Sequence, residues 1–341
     1  MNVTIADIAR IANVSKATVS AVLNNKSTVA PQTREKVLEV IKKLNYRPSE
    51  VARSLSSKKT RCIGLVIKEI DNPYFAKVMK GVFDACCEKG YTVLLGSSEL
   101  SPAQEIQNIE TLTSQRVDGL IISPLQDQNI DYTYLSDLLR EKYPVVTLGK
   151  VKNYITNVVD IDNVAAAYQA VNFLIGLNHE KIAYFSGPSY SAHSTDRLEG
   201  YQQAHIENNL PIRKNFIIQV GSYIGNSYRL SKEFFSTNSD LPSAVFCYND
   251  LVAIGLINAL LEMDFKIPND VSVVGFDDID ICESVKIPLT TVHVPAYEIG
   301  KAAAELLIEQ IENSQQNLNR QIILKSRLVK RKSCVNLERN Q

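Results

Sequence analysis

The sequence of 341 residues has no tryptophan, only four histidines and fourteen glycines. No two glycines form Gly-x-Gly, which excludes the glycine loops of dinucleotide-binding folds and of kinases. Gly-Lys-Ser/Thr, His-Glu-x-x-His and Gly-x-Ser-x-Gly are absent too, which excludes the common nucleotide, zinc-protease and hydrolase motifs. The sequence therefore predicts no catalytic residues and no enzymatic activity.

Metal-binding and membrane-spanning patterns are also missing. The six cysteines have no Cys-x-x-Cys spacing, so we expect reduced packing residues, no metal site and no cofactor. No run of about 18 apolar residues occurs, and the N-terminus lacks the pattern of a signal peptide. These absences predict a cytoplasmic protein without a membrane partner.

Charge is balanced overall but divided unevenly along the chain. Residues 1–61 contain twelve Lys or Arg and four Asp or Glu, whereas the remainder contains 25 basic and 33 acidic residues. A basic N-terminal segment attracts phosphate, and an acidic remainder resists lying on DNA. The distribution predicts a DNA-binding segment attached to a domain of another kind.

The N-terminal segment has the pattern of a helix-turn-helix. Thr4 and Asp7 form a capping-box sequence before an apolar helical stripe. After a short break, Ser15 can cap a second helix with Val19 and Val22 on its inner face. Such a second helix presents its first residues to a major groove. The residues of these helices predicted to contact DNA are Thr4, Ser15, Lys16, Ala17, Thr18, Ser20, Ala21 and Asn24.

A third helix is predicted from about Pro31 to Asn45. Ala30 precedes it and cannot supply a side-chain cap. Its inward residues are predicted to be Val37, Leu38, Ile41 and Leu44. Ser49 then begins a helical stretch of about eight residues, which is marginal in water without a partner surface.

Three strings in this part of the chain resemble the lactose/galactose repressor (LacI/GalR) family. They are VSKATVSAVLN at 14–24, TREKV at 33–37 and NYRPSEVARSL at 45–55. The resemblance implies a helix-turn-helix DNA-binding domain over residues 1–47. It also implies a hinge helix and linker over residues 48–60.

In the family the hinge helix forms on operator DNA, paired with that of the dimer mate. The resemblance implies that Leu55 is the apolar wedge at the central minor-groove step, with Ala52 beside it. Without the family, Leu55 would be an ordinary hydrophobic residue of a linker. Ala21 departs from the family, in which many members have an Arg suited to guanine. Base reading is therefore expected to shift to Lys16, Ala17 and Asn24.

After Arg61, apolar strand-like runs alternate with helical segments. Continuous apolar strands between helices predict α/β architecture, with parallel sheets covered on both faces. The eleven runs suit two sheets better than one; they are CIGLVI, TVLLGS, GLIIS, PVVTLG, VVDID, KIAYFSG, IIQVG, AVFCY, VSVVGF, TTVHV and RLVKRKS. Helices are predicted near 75–89, 103–115, 164–177, 196–208, 226–236, 250–262 and 296–312.

The resemblance continues over residues 61–341 and implies a periplasmic-binding-protein-like body of two doubly wound lobes that binds effector and dimerises. The N-lobe is expected to comprise about 61–159 plus 294–323, and the C-lobe about 160–293 plus 324–341. Small molecules bind at the carboxyl ends of parallel strands, so the cleft between the lobes is the expected effector site.

Arg197 and Asp277 are the principal candidates for holding an effector. The Arg197 guanidinium can grip two vicinal hydroxyls or a carboxylate, and the family uses an arginine at this point. Asp277 ends a strand and can accept from sugar hydroxyls or ring nitrogens. Asn249 offers a donor and an acceptor, whereas Asp250 is expected to cap the following helix. The alternative for Arg197 and Asp277 is an interlobe or capping contact.

Other strand-exit residues complete the predicted site: Tyr74, Phe75, Ser123, Asp162, Ser191, His193 and Tyr223. Tyr74 and Phe75 match the family's aromatic stacking pair or pack in the core, and Asp162 matches a crossover motif or caps a helix. Purine-responsive relatives tend to have Arg at the position of Ser191. Its small side chain here therefore favours a carbohydrate.

Together with these observations, the family resemblance implies a homodimeric repressor that reads a pseudo-palindromic operator on double-stranded DNA. Its small-molecule effector is expected to be a sugar or sugar derivative. One alternative is the same regulator controlled by a protein partner or a non-sugar metabolite. Another is a solute-binding protein or carbohydrate enzyme with an accessory DNA-binding head.

Overall fold

The computed structural model describes residues 3–23, 27–46, 59–126, 132–313 and 319–338. Asn24, Ala52 and Leu55, with most of the predicted hinge segment, lie outside these ranges. The chain forms two compact units, the head at Met1–Thr60 and the body at Arg61–Gln341. No helix within the described ranges has the length and apolar character needed to cross a membrane.

The described part of the head contains three helices: α1 Ile5–Ala12, α2 Lys16–Leu23 and α3 Pro31–Lys43. The predicted capping box is confirmed, because the Thr4 hydroxyl accepts the Asp7 N–H while the Asp7 carboxylate accepts the Thr4 N–H. Ser15 caps α2 as predicted, since its hydroxyl accepts the Thr18 N–H at 3.0 Å. Two side-chain caps therefore fix the starts of the first two helices.

A small apolar core joins the three helices, centred on Ile8, Ala12, Val19 and Val37. The predicted inward position of Leu38 is wrong, because its side chain is 48% exposed. Val37 already occupies the inner face, and the next residue of a helix points about 100° away from it. As predicted, Ala30 provides no side-chain cap for α3.

The N-lobe is built on a six-stranded sheet in the order β11-β5-β4-β3-β1-β2, with every pairing parallel. Its strands are β1 Cys62–Ile67, β2 Thr92–Ser97, β3 Gly119–Ile122, β4 Val145–Leu148, β5 Asn157–Ile161 and β11 Gln321–Leu324. Its helices are α4 Pro73–Glu88, α5 Pro102–Ser114, α6 Thr133–Arg140 and α11 Ala296–Glu312. Helices α4 and α11 pack closely against each other. The elements β11 and α6 are additional to those predicted from the sequence.

The C-lobe has a second six-stranded sheet in the order β12-β10-β9-β8-β6-β7. Its strands are β6 Ile182–Ser186, β7 Ile217–Gln219, β8 Ala244–Cys247, β9 Ser272–Asp277, β10 Thr290–His293 and β12 Arg327–Val329. Its helices are α7 Asn163–Gly176, α8 Ala192–Glu207, α9 Ile224–Thr237 and α10 Asp250–Glu262, with short 3-10 helices at Lys214–Phe216 and Asp280–Glu283. Strand β12 is antiparallel to β10, whereas an all-parallel sheet was expected. The chain enters β12 two residues after the carboxyl end of β11 and so runs back along β10.

The chain passes between the two sheets three times. These passages follow Ile161, lie between His293 and Ala296, and lie between Leu324 and Arg327. Parallel strands of both lobes end towards these passages. The two-lobed fold predicted from the sequence is therefore confirmed, and it brings strand ends from both sheets to one cleft.

Candidate functional site

A cavity lies in the cleft between the two lobes. Eight of the ten residues predicted for effector binding line it: Tyr74, Phe75, Ser123, Ser191, His193, Arg197, Asn249 and Asp277. The structure places Asp162 and Tyr223 outside its lining. Further polar residues line the cavity without having been predicted: Lys68, Glu69, Asn72, Asp160, Asn163, Tyr190, Ser222 and Tyr248. Both lobes therefore contribute polar side chains to one site.

Arg197 extends from α8 into this cavity and is only 5% exposed. Its Nε donates to Asn163 Oδ1 at 3.1 Å, and its Nη1 donates to the backbone carbonyl of Tyr248. The guanidinium carbon lies 3.6 Å from the centre of the Phe276 ring and 4.8 Å from that of Tyr248. Two aromatic rings and two hydrogen bonds therefore fix the orientation of the guanidinium.

Asp277 faces this guanidinium without closing a hydrogen bond to it. Its Oδ1 lies 3.8 Å from Arg197 Nη2, beyond hydrogen-bond distance. Burial raises the pKa of Asp277 well above its usual value, although Arg197 acts to lower it. Asp277 and Asp278 have φ values of 111° and 59°, which side-chain-bearing residues rarely adopt. The strand end is therefore held in a strained conformation with an incompletely paired carboxyl group.

Asp250 lies behind Asp277 and anchors this strained turn. Its Oδ2 accepts the Ile279 N–H at 2.9 Å, and its Oδ1 accepts the Thr291 hydroxyl at 2.5 Å. A Cβ on Gly275 would overlap Asp250 Oδ1, so glycine is required for this approach. Asp250 thus ties the end of β9 to β10 beneath the cavity.

The expected division of roles between Asn249 and Asp250 is corrected by the structure. Asn249, not Asp250, is the N-cap of α10, because its Oδ1 accepts the Val252 N–H at 2.8 Å. Its Nδ2 donates to the Ser222 carbonyl at 3.1 Å. Asn249 therefore lines the cavity, but its side-chain oxygen and nitrogen both bond to backbone groups that stabilise the fold.

Asp250 should give the body a characteristic pH dependence. Burial raises its pKa from 3.8 to about 6, against the opposing hydrogen bonds from Thr291 and Ile279. An acid whose pKa is raised by folding stabilises the fold while protonated, so this contribution is complete below about pH 4 and is lost as pH rises through about 6. We expect the stability of Asp250→Asn relative to wild type to rise by up to about 3 kcal/mol between pH 4 and 7, measured by urea unfolding. A difference independent of pH would contradict this.

At the first passage between the lobes, Asp160 and Asn163 enter the cavity. Asp160 Oδ2 lies 3.1 Å from His193 Nε2, while its Oδ1 accepts the Ile161 N–H at 2.7 Å and an Asn163 N–H at 3.2 Å. Burial acts to raise the pKa of Asp160, but His193 and the hydrogen bonds keep it below its usual value. Asp162, predicted here, is exposed, and its side chain caps α7 by accepting the Ala165 N–H. The capping alternative therefore describes Asp162.

Besides the Asp160–His193 contact, further polar contacts join the lobes around the cavity. Glu69 Oε1 accepts the Ser222 hydroxyl at 2.7 Å. Lys77 Nζ lies 2.6 Å from Asp280 Oδ1, and the Gln126 N–H donates to the Tyr190 carbonyl at 2.7 Å. We refer to these contacts as the interlobe latch. The latch holds the lobes together over a site whose main side chains are already buried.

The aromatic and small polar residues predicted for the site lie in different surroundings. Phe75 is part of the apolar core as well as the cavity wall, and its ring meets that of Tyr74 edge-on at 5.1 Å. The Ser191 hydroxyl lies 3.0 Å from that of Tyr248. Tyr223 begins α9 outside the cavity, where burial and neighbouring Glu69 raise its pKa. Ser191 and Tyr74 therefore line the site, whereas Tyr223 does not.

Lys68 and Glu69 were missed although a signal was present in the sequence. They directly follow β1, which is buried and parallel to its neighbours. Polar residues at the carboxyl end of such a strand face a ligand crevice. The same rule identified Asp277 at the carboxyl end of β9.

The predicted DNA-contacting residues of the head lie at its surface to different extents. Ser15, Lys16 and Ala17 are exposed at the start of α2, as is Thr4 before α1. Thr18, Ser20 and Ala21 are half-buried. The start of α2 is therefore free of the core that holds the head together.

Two family profiles match the chain. Residues 4–49 match the bacterial regulatory proteins of the lacI family, and residues 171–334 match the periplasmic binding protein-like domain. The HTH-type transcriptional repressor PurR of Photobacterium profundum is 34% identical over 337 residues. The match covers 98% of this chain and 99% of that protein.

Solved structures are similar over the same extent. The lac repressor dimer bound to operator and the anti-inducer ONPF superposes with a TM-score of 0.88 at 26% identity, covering 98% of this chain and 100% of that one. The complex of transcriptional regulator CelR with cellobiose gives a TM-score of 0.73 at 27% identity, covering 97% and 100%. With relatives matched over nearly its whole length, the chain belongs to the lacI family of bacterial regulatory proteins and is a DNA-binding regulator rather than an enzyme.

Proposed function

We propose that the protein is a cytoplasmic, sequence-specific transcriptional repressor whose operator affinity is switched by a sugar or sugar derivative bound between the lobes. The observation that carries this proposal is the open pair of Arg197 and Asp277. Their 3.8 Å separation is too long for a direct hydrogen bond, so both groups can still bond to a ligand hydroxyl placed beside them.

Sugar hydroxyls suit this arrangement because each hydroxyl can donate and accept. Arg197 can only donate, whereas the Asp277 carboxyl can accept and, when protonated, also donate, so two neighbouring hydroxyls satisfy both. Tyr74 adds an aromatic surface on which a sugar ring can pack. The structural similarity to a regulator solved with cellobiose supports the same class of ligand.

We also propose that the protein acts as a homodimer. A groove on the body is lined by apolar side chains that include Ile224, Ile254, Ile279 and Ile281. Ile224 and Ile281 are themselves exposed. A self-complementary apolar surface is typical of two-fold dimers. Two copies would place two heads on a pseudo-palindromic operator.

Effector would act by shifting an equilibrium between lobe arrangements. A ligand that contacts both lobes stabilises the arrangement in which both sets of contacts form. The resulting change in lobe angle would alter the spacing of the paired hinge segments and hence operator affinity. Coupling of this kind is reciprocal, so operator DNA must change the affinity for effector by the same factor.

The proposal is tested by thermal unfolding of the full chain against neutral sugars, sugar phosphates, uronates, nucleobases and amino acids. A ligand at 100 times its Kd should stabilise the protein by about 2.7 kcal/mol. Operator binding is then measured with each ligand that raises the Tm. A sugar that changes operator affinity supports the proposal. A panel in which no sugar changes either the Tm or operator affinity contradicts it.

Leu55→Ala tests the DNA side of the proposal. If Leu55 inserts into the central step of the operator, the variant loses about 2 kcal/mol of specific binding, or roughly 30-fold in Kd. Binding to unrelated DNA, which rests on phosphate contacts, should change little. Fluorescence anisotropy with both DNAs at one salt concentration measures the two effects. Equal loss on both would exclude the wedge role.

A further inference from the structure

Lys68 differs from the other charged side chains that line the cavity. Glu69, Asp160, His193, Arg197 and Asp277 each have a hydrogen bond or ion pair in the structure. Lys68 lines the same cavity and is 8% exposed, yet its ammonium group has neither kind of partner within the described residues. A lysine has three donors to satisfy, so a largely buried lysine side chain whose ammonium group has no protein partner is unusual.

The acidic groups around Lys68 are bonded to other donors. Glu105 accepts the Leu125 N–H at 2.8 Å and the Tyr134 hydroxyl at 2.9 Å. Glu69 accepts from Asn72 and from Ser222. These carboxylates contribute a favourable field at Lys68 but no hydrogen bond.

That field does not compensate for burial. Burial lowers the pKa of Lys68, although Glu105, Glu69 and Asp160 act to raise it. The charged form is therefore still less favoured in the cavity than in water. A further negative charge placed beside Lys68 would stabilise its ammonium group and supply the missing acceptors.

We propose that Lys68 is the anion-binding group of the cavity and that the effector is an acidic sugar derivative, with its anionic oxygens at Lys68 and its hydroxyls at Arg197 and Asp277. This inference rests on the proposed function of the cleft. Lys68 belongs to the N-lobe, whereas Arg197 and Asp277 belong to the C-lobe. An acidic sugar would thus engage both lobes through opposite ends. The shared chemistry is a phosphate or carboxylate on a sugar ring.

Isothermal titration calorimetry of the full chain with matched probes tests the proposal. The probes are glucose, glucose 6-phosphate and glucuronate, with the corresponding galactose and mannose sets. We expect an acidic member to bind about 10- to 100-fold more tightly than its neutral parent. Lys68→Met should remove that preference, so that the acid and its neutral parent bind with similar affinity, and Lys68→Arg should retain part of it. The phosphate and uronate arms identify which anion is recognised.

Lys152→Met provides a control of the same net charge change at an exposed residue outside the cavity lining. It should keep the preference for the acidic probe. Without ligand, Lys68→Met should unfold at the same temperature as wild type or higher, because the substitution removes a charge that has no partner in the protein. A large drop in Tm would assign Lys68 a structural role and overturn the inference. A neutral sugar bound as tightly as its acid, or an acid preference that survives Lys68→Met, would also overturn it and leave the proposed function standing. Failure of every sugar, neutral or acidic, would overturn both.

Discussion

Arg197→Ala is expected to abolish the response to effector while leaving operator affinity unchanged. In the wild type the guanidinium is clamped between Phe276 and Tyr248 and tied to Asn163. It is therefore oriented for a ligand before the ligand arrives, and no conformational freedom is lost there on binding. Removing it leaves Asp277 buried without its cation. Effector affinity should fall by about 3 kcal/mol or more, which is over 100-fold.

Two further variants show whether a loss of response in Arg197→Ala depends on side-chain geometry and on the position in the cavity. Arg197→Lys keeps the positive charge but not the planar fork, so a similar loss would show that geometry matters more than charge. Arg213→Ala removes an arginine of the same lobe that packs on Phe216 and pairs with Asp240, away from the cavity. It should leave the response intact. Calorimetry measures effector binding, and anisotropy measures operator binding. An unchanged response in Arg197→Ala would remove Arg197 from the site.

Gly300→Ala is expected to destabilise the body severely. A Cβ at Gly300 would overlap the carbonyl oxygen of Val78, and one at Gly81 would overlap that of Tyr297. Helices α4 and α11 therefore approach backbone to backbone at two reciprocal positions. An added Cβ cannot be accommodated by a change of side-chain rotamer, because the atoms it would overlap belong to the backbone of the other helix. We expect a loss of about 3 kcal/mol or more in the free energy of unfolding.

Gly176→Ala is the matched control for this effect. Gly176 ends α7, and no atom lies within 4 Å of the position its Cβ would take. Alanine there should be neutral or stabilising by up to about 1 kcal/mol, because it favours the helical conformation. Urea unfolding followed by circular dichroism at 222 nm compares the two variants. Equal stability of Gly300→Ala and wild type would show that the helices can separate at no cost.

The fold was accessible from the sequence wherever burial leaves a clear apolar pattern. Strands such as β1 and β9, buried on both faces, stand out as continuous apolar runs. Strand β11 was missed because it forms a sheet edge and alternates exposed with half-buried residues. Helix α6 was missed because it has only eight residues and no side-chain cap. Weak local signals of this kind become elements only when a sheet or core is present to pack against.

The sequence predicted where the site lies better than it predicted which side chains contact each other there. Arg197 and Asp277 come together because the topology of the fold brings the first turns of α8 and the carboxyl end of β9 to the same cleft. At the first passage, the sequence could not separate Asp160 from Asp162, because it does not show where β5 ends and where the N-cap of α7 begins. The structure turns Asp160 inward to His193 and leaves Asp162 at the surface. The sequence could not show that the Lys68 ammonium group lacks a protein partner. That property depends on Glu105 and Glu69 accepting hydrogen bonds from other residues.

The interlobe latch also sets a time scale. Its Glu69–Ser222 hydrogen bond is buried, and Arg197 behind it has almost no contact with solvent. Because the latch contacts span both lobes around the cavity, we expect the rate of lobe opening to limit how fast a bound molecule leaves. Weakening the latch would therefore shorten the residence time of a bound effector even where equilibrium occupancy stayed the same.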